Sequence, residues 1–338
     1  MALFGLATCS AAQEPTALCD LLRSGRLEQS ARDAFEQKQY DAAARDFQGA
    51  LDACPSRHSI LLELSETEAR RHQFQPAIQA AQKYVALESD KPAGKLALAN
   101  AYFMAQSFPQ ALSVCDEILK VEPTEPSALK LKGNIEYLTG HLDVALATFV
   151  ALLDRHPGDE DASYMLGRIY YQEGRIDHAI GQFQRVLKIN PKSYKAYDNL
   201  GLCYQSQGDI DLAMRYFLTA IKLVDKDHPD YDWVYANVAS LLLDKGDAEK
   251  AFAAASKAAD RNPYSARNFY LGGKALCMLG KNDLCVNWLE RSVALDPKYP
   301  EPLYLLGRVY AEMGQEEKSN AALEKFRALK ATAPRERK

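Results

Sequence analysis

Residues 160–191 read EDASYMLGRIYYQEGRIDHAIGQFQRVLKINP, and the spacing inside this stretch decides the fold. Leu166, Ile169 and Tyr170 stand three and four apart, the spacing of a buried stripe on a helix. Gly174 closes that helix, because glycine takes a left-handed conformation at little cost. A second helix runs through Ala179 and Phe183, and Pro191 stops it. The unit is a helix hairpin. The small residues Gly167 and Ala179 let the two axes come close, and the Phe183 ring fills the gap beside them.

The pattern recurs at an interval of 34 residues. Gly133 pairs with Gly167, Gly140 with Gly174, Ala145 with Ala179, Phe149 with Phe183, and Pro157 with Pro191. Extended both ways, the frame gives nine repeats starting near Ser24, His58, Pro92, Pro126, Glu160, Tyr194, Asp232, Ala266 and Pro300. The eighth position is always small: Ala31, Ser65, Ala99, Gly133, Gly167, Gly201, Ala239, Gly273 and Gly307. So is the twentieth, from Ala43 through Ala145 and Ala179 to Cys285 and Ser319. Asp209, Asp247 and Asn282 are expected to cap second helices. One hairpin cannot bury its own apolar face, so the hairpins must stack. Only the step from Tyr194 to Asp232 exceeds 34, by the four residues His228-Pro229-Asp230-Tyr231. These are expected to lengthen the connection between the sixth and seventh hairpins.

Leu166-Gly167-x-x-Tyr170 with Ala179, Phe183 and Pro191 resembles the tetratricopeptide repeat. Leu200-Gly201-x-x-Tyr204 with Ala213 and Phe217, and Leu306-Gly307-x-x-Tyr310, resemble it too. The resemblance covers residues 24–330 and implies an all-α, right-handed superhelical solenoid of about nine helix-turn-helix units. Residues 1–23 are then an N-terminal segment with a short capping helix over Thr16–Arg23, and residues 331–338 a basic disordered tail. The last second helix, Gln315–Lys330, reads as a polar cap with Leu323 and Phe326 inward.

In this family the first helices line a concave groove that binds a protein or peptide segment. Their second, fifth, ninth and twelfth positions point into it. Mapped onto this chain, the groove carries Asn100, Phe103, Lys130, Asn134 and Tyr137. It continues through Tyr164, Arg168, Tyr171 and Lys195 to Trp233, Tyr270, Lys274, Tyr304 and Arg308. Aromatics and cations dominate, as at binding hot spots. The bland reading is that several rings only pack between adjacent first helices. Some family members hold a peptide carboxylate with a clamp of two Lys, two Asn and one Arg. Lys130, Asn134 and Lys195 match three of its five positions, but Met165 and Asn199 replace the second Asn and the Arg, so the clamp is not defined. The middle repeats, four to six, fit the signature best and are expected to dock an extended peptide with acidic groups.

Composition narrows the remaining classes. The 338 residues are 47% hydrophobic and 25% charged, with a net charge of −4. That offers no concentrated basic face for nucleic acid. The C-terminal basic cluster of Lys325, Arg327, Lys330, Arg335, Arg337 and Lys338 reads as a solvated end. No run of ~18 apolar residues suggests a transmembrane span. His58, His72, His141, His156, His178 and His228 scatter over different repeats, and no His-x-x-x-His or Cys-x-x-Cys occurs. No metal, cofactor or catalytic constellation is expected, and the chain reads as a non-enzyme. Met1–Ala7 followed by Cys9-Ser10-Ala11-Ala12 reads either as the remnant of a secretory signal, placing the protein outside the cytoplasm, or as an unstructured cytoplasmic start. Seven cysteines are present. Cys115 and Cys203 read as buried thiols. Cys277 and Cys285 face each other across a turn, and Cys19 and Cys54 stand near the ends of successive second helices. Each pair is either a packing pair or a disulfide in an oxidising compartment. Three functional readings stand: an adaptor docking a peptide in its groove, a structural subunit of an envelope, secretion or pilus assembly, and a regulatory partner of a separate enzyme such as a glycosyltransferase. Homo-oligomerisation is compatible with each.

Overall fold

The computed structural model describes residues 19–332, so the readings of residues 1–18 and of the basic end beyond Thr332 lie outside the described residues. Eighteen helices and no strand occur among the described residues. They fall into two compact units, divided between Pro157 and Gly158. The first unit holds α1 (Leu21–Glu36), α2 (Tyr40–Ala53), α3 (Ile60–Arg70), α4 (Phe74–Leu87), α5 (Pro92–Met104), α6 (Phe108–Val121), α7 (Pro126–Leu138) and α8 (Leu142–Arg155). The second holds α9 (Glu160–Gln172), α10 (Ile176–Ile189), α11 (Tyr194–Ser206), α12 (Ile210–Asp227) and α13 (Trp233–Asp244). It continues with α14 (Ala248–Arg261), α15 (Ala266–Met278), α16 (Asn282–Leu295), α17 (Pro300–Glu312) and α18 (Glu316–Thr332). Leu21–Arg23, expected in a separate capping helix, are the first turn of α1.

Three hairpins close on the same contact, a glycine beneath a phenylalanine ring. A Cβ placed on Gly167 would stand 2.6 Å from the Phe183 ring, and one on Gly133 2.8 Å from Phe149. Both rings are buried and close the gap between helix axes. The turn beyond the first helix repeats as well. Gly174 has φ +73, its N–H donates to Tyr171 O, and the Arg175 N–H donates to Tyr170 O at 2.8 Å. This satisfies carbonyls that the helix end would otherwise leave open. In the first three hairpins the same place is held by Lys38, His72 and Gln106, with φ of 60, 60 and 56, a conformation that costs a side-chain-bearing residue free energy. Asp209 and Asp247 cap α12 and α14 by accepting from Leu212 N and Lys250 N. Asn282, expected as a cap, is instead the first helical residue of α16, and Lys281 precedes it without a side-chain cap bond.

The insertion is absorbed differently from expectation. α12 has 18 residues where α10 and α14 have 14, so the extra length goes chiefly into a helical turn, and the connection to α13, residues 228–232, is only one residue longer than those after α10 and α14. The helix ends at Asp227, before Pro229. His228 and Tyr231 then pack on Tyr194, with ring centroids 4.2 and 4.7 Å apart. The Tyr231 hydroxyl donates to Asp198 Oδ2 at 2.7 Å, and Asn237 Nδ2 donates to Asp198 Oδ1 at 2.8 Å. Arg267 donates to Asn237 Oδ1 at 2.9 Å, and Arg261 to Pro229 O at 2.7 Å. α11, α13, α14 and α15 are thereby tied to the inserted stretch. Asp198 is only 2% exposed. Burial pushes its carboxyl up to about 6, against the pull of the bonds from Tyr231 and Asn237 and of the Arg267 charge.

Four cysteines are bonded. Cys277 on α15 joins Cys285 on α16, with Cα atoms 5.2 Å apart. Cys19 joins Cys54, but Cys19 precedes α1 instead of ending a second helix, so the bridge ties the entry of the first hairpin to its exit. Cys115 and Cys203 are buried thiols, and burial raises them to about 11 and about 12, which keeps them protonated and unreactive.

Three outcomes are expected. Ala145 is fully buried at the hairpin contact, so Ala145→Leu should destabilise by roughly 1–3 kcal/mol through overpacking. An unchanged melting midpoint would place that position off the contact. Gln106→Gly should stabilise by about 0.5–1 kcal/mol, since glycine relieves the left-handed strain but adds freedom to the unfolded chain; denaturant melts showing a loss would refute the strain. Asp198 holds its proton more tightly folded than unfolded, so its contribution is most favourable below about pH 4 and declines as pH rises toward 6. Asp198→Asn removes that titration. The unfolding free energy of the wild type relative to this variant should fall by about 2–3 kcal/mol between pH 4 and pH 7. A difference independent of pH in urea melts would show that Asp198 titrates alike folded and unfolded.

Candidate docking surface

Within each unit the first helices of successive hairpins touch one another: α3 meets α5 and α5 meets α7 in the first, and α9, α11, α13, α15 and α17 form a row in the second. The first helices therefore make the inner layer of each stack, and the second helices the outer. The side chains expected in a groove are distributed along these rows.

In the first unit Asn100 is exposed on α5, while Phe103 is half-buried against Phe108. Lys130, Asn134 and Tyr137 are half-buried on α7. In the second unit Tyr164 leans on Phe183, and its hydroxyl accepts from Asn199 Nδ2 at 3.2 Å. The Tyr171 hydroxyl lies 3.3 Å from that of Ser206 on α11. Both rings thus serve in part as packing between α9 and α11, as the bland reading has it. Arg168 is half-buried, and Lys195 is exposed with its ammonium 6.0 Å from the Tyr194 ring. Trp233 is 57% exposed, and the Arg267 guanidinium stands 5.6 Å from its ring. Burial lowers the pKa of Arg267.

Four of the expected residues converge. Tyr270 and Lys274 of α15 and Tyr304 and Arg308 of α17 line one open hollow of about 400 Å³. Glu301 and Leu305 of α17 and Phe326 and Lys330 of α18 complete it. Tyr304 and Phe326 meet at a tilt of 46° with centroids 5.3 Å apart, and Tyr270 meets Tyr299 edge-on at 5.4 Å. Burial raises the Tyr270 phenol. A second hollow of about 530 Å³ lies between α3 and α5 in the first unit, and of the expected residues only Asn100 lines it. Its other walls include Leu62, Glu66 and Ala69 from α3. These are the fifth, ninth and twelfth positions counted from His58, so the same rule applied to the second repeat finds them. Arg267, at the second position of its repeat, follows the same rule. Phe326 and Lys330 have no such signal, because they stand on a second helix.

Among the described residues no group of three His, Cys, Asp or Glu side chains is placed to hold a metal ion, and no helix is long and apolar enough to cross a membrane.

Family models described as Tetratricopeptide repeat match residues 28–94, 96–160, 130–194, 193–262 and 303–329, and one described as TPR repeat matches 273–314. No curated protein matches the chain. Among solved structures, a crystal structure of MamA is 23% identical over 48% of this chain and 95% of its own, with a TM-score of 0.43. MamA 41-end from Desulfovibrio magneticus RS-1 is 21% identical over 51% of this chain and 97% of its own, with a TM-score of 0.45. A MamA RS-1 ArsTM double mutant is 21% identical over 51% of this chain and 96% of its own, also at 0.45. Likeness at that level assigns no function. The repeat matches run through both units, and the chain belongs to the tetratricopeptide repeat family, a class of protein-interaction scaffolds.

Proposed function

We propose that the chain is a non-catalytic adaptor whose inner faces dock an extended protein or peptide segment. The observation that carries this reading is the convergence of Tyr270, Lys274, Tyr304 and Arg308 on one open hollow. Rings with large exposed area beside cations suit a protein ligand, because rings lose little entropy on binding and cations fix the register. Trp233, exposed on the same row of first helices, extends the surface. Arg168, Tyr171 and Lys195, on α9 and α11, supply a further cationic stretch for a segment with acidic groups.

Affinity capture with mass spectrometry identifies the partner, and titration of variants then tests the surface. Trp233→Ala and the double change Arg168→Ala with Lys195→Ala should weaken binding while helicity is unchanged. Tyr171→Ala should cost about 1–2 kcal/mol as an anchor ring. Leu284→Ser, on the outer helix α16, should bind as the wild type does. If every inner-face variant keeps wild-type affinity while the α16 variant loses it, the outer face is the working surface and the assembly-subunit reading takes over. Co-purification of a glycosyltransferase as the partner would favour the regulatory reading.

A further inference from the structure

We propose that the hollow between α15, α17 and α18 recognises a carboxylate next to a bulky apolar side chain on a partner peptide. This rests on the adaptor reading and names the chemistry it selects.

The hollow is cationic and incompletely neutralised. Lys274, Arg308 and Lys330 surround it, against the single carboxylate of Glu301. Glu301 is engaged by Lys330 at 3.5 Å, and Arg308 has only Glu312 on its own helix at 3.8 Å, outside the hollow. Lys274 has no carboxylate within ion-pair reach among the described residues. Two cations on neighbouring first helices are thus left for an incoming acid, and the planar guanidinium of Arg308 can take a carboxylate through two parallel N–H bonds. A basic peptide would meet three like charges.

The rest of the lining is apolar. Tyr304 is 48% exposed although its ring packs at a tilt on Phe326, and Leu305 lines the same hollow. At about 400 Å³ the hollow has the size of a ligand site. Half-exposed rings next to incompletely neutralised cations ask for both kinds of group in one ligand, which a free inorganic anion does not supply. Three cations in a chain of net charge −4 are also too few for a nucleic-acid backbone.

The test is selection of a randomised twelve-residue display library on the full chain, followed by affinities of the enriched peptides as synthetic probes. Enriched sequences should place Asp or Glu beside Phe, Tyr, Trp or Leu. The joint change Lys274→Glu and Arg308→Glu should weaken the probes at least tenfold, with circular dichroism unchanged. Tyr304→Ala should weaken them severalfold, and Arg308→Lys should lose less than Arg308→Glu. Affinity should also fall with rising salt. No enrichment, enrichment of neutral or basic peptides, or equal binding to the charge-reversed chain would each overturn the proposal. Binding that ignores charge reversal here yet disappears in Trp233→Ala would overturn this site while leaving inner-face docking intact.

Discussion

The close approach of the first helix to the second at a small residue, beneath a buried ring in three hairpins, sets everything else in this chain. Gly167 under Phe183 and Gly133 under Phe149 leave no room for another side-chain atom. That closeness fixes where each helix crosses its partner, and the crossing fixes which first-helix positions face inward. Position 8 is Ala in the hairpin that carries Phe47, and Ser or Ala where position 24 is Ala81, Cys115 or Ala255, but it is never large. The inner face is thus determined by a contact made beside it on the same helix.

The hairpin frame was readable because packing imposes it on residue size. Helix starts at Pro92, Pro126, Glu160, Tyr194, Ala266 and Pro300 coincide with the 34-residue frame. It slips at α1 and α3, which begin at Leu21 and Ile60, where the first two repeats keep the small residues but lack the glycine turn. Lys38 and His72 hold the left-handed turn without glycine, so composition there does not announce a conformation the backbone still adopts. The insertion was visible as extra length, but its destination was not. Whether four residues join a helix or a loop depends on the partners they find, and Asp198 and Arg261 lie 33 and 32 residues from their contacts, Tyr231 and Pro229.

The candidate surface was legible in proportion to its dependence on the repeat. Tyr270, Lys274, Tyr304 and Arg308 share one hollow because equivalent positions on adjacent first helices become neighbours. Phe326 and Lys330 enter the same hollow from a second helix, which no rule about first helices could include. Tyr164 and Tyr171 show the opposite case: positions that face inward by phase still spend hydroxyls on α11. An inner-face residue is available to a ligand only to the extent that the neighbouring hairpin leaves it unused.

The Cys19–Cys54 bridge changes how the first unit comes apart. A linear stack in which each hairpin leans only on its neighbours frays from a free end, one hairpin at a time. The bridge closes a loop across a sequence separation of 35 residues, tying the start of α1 to the end of α2. A covalent loop of this size restrains the unfolded chain by about 4 kcal/mol in the chain-entropy description. Tension applied at the N-terminal side is then carried past both helices through the sulfur bridge, and the first hairpin is shielded from peeling. Reduction would return it to ordinary fraying, so the mechanical resistance of this end follows the thiol chemistry of its surroundings.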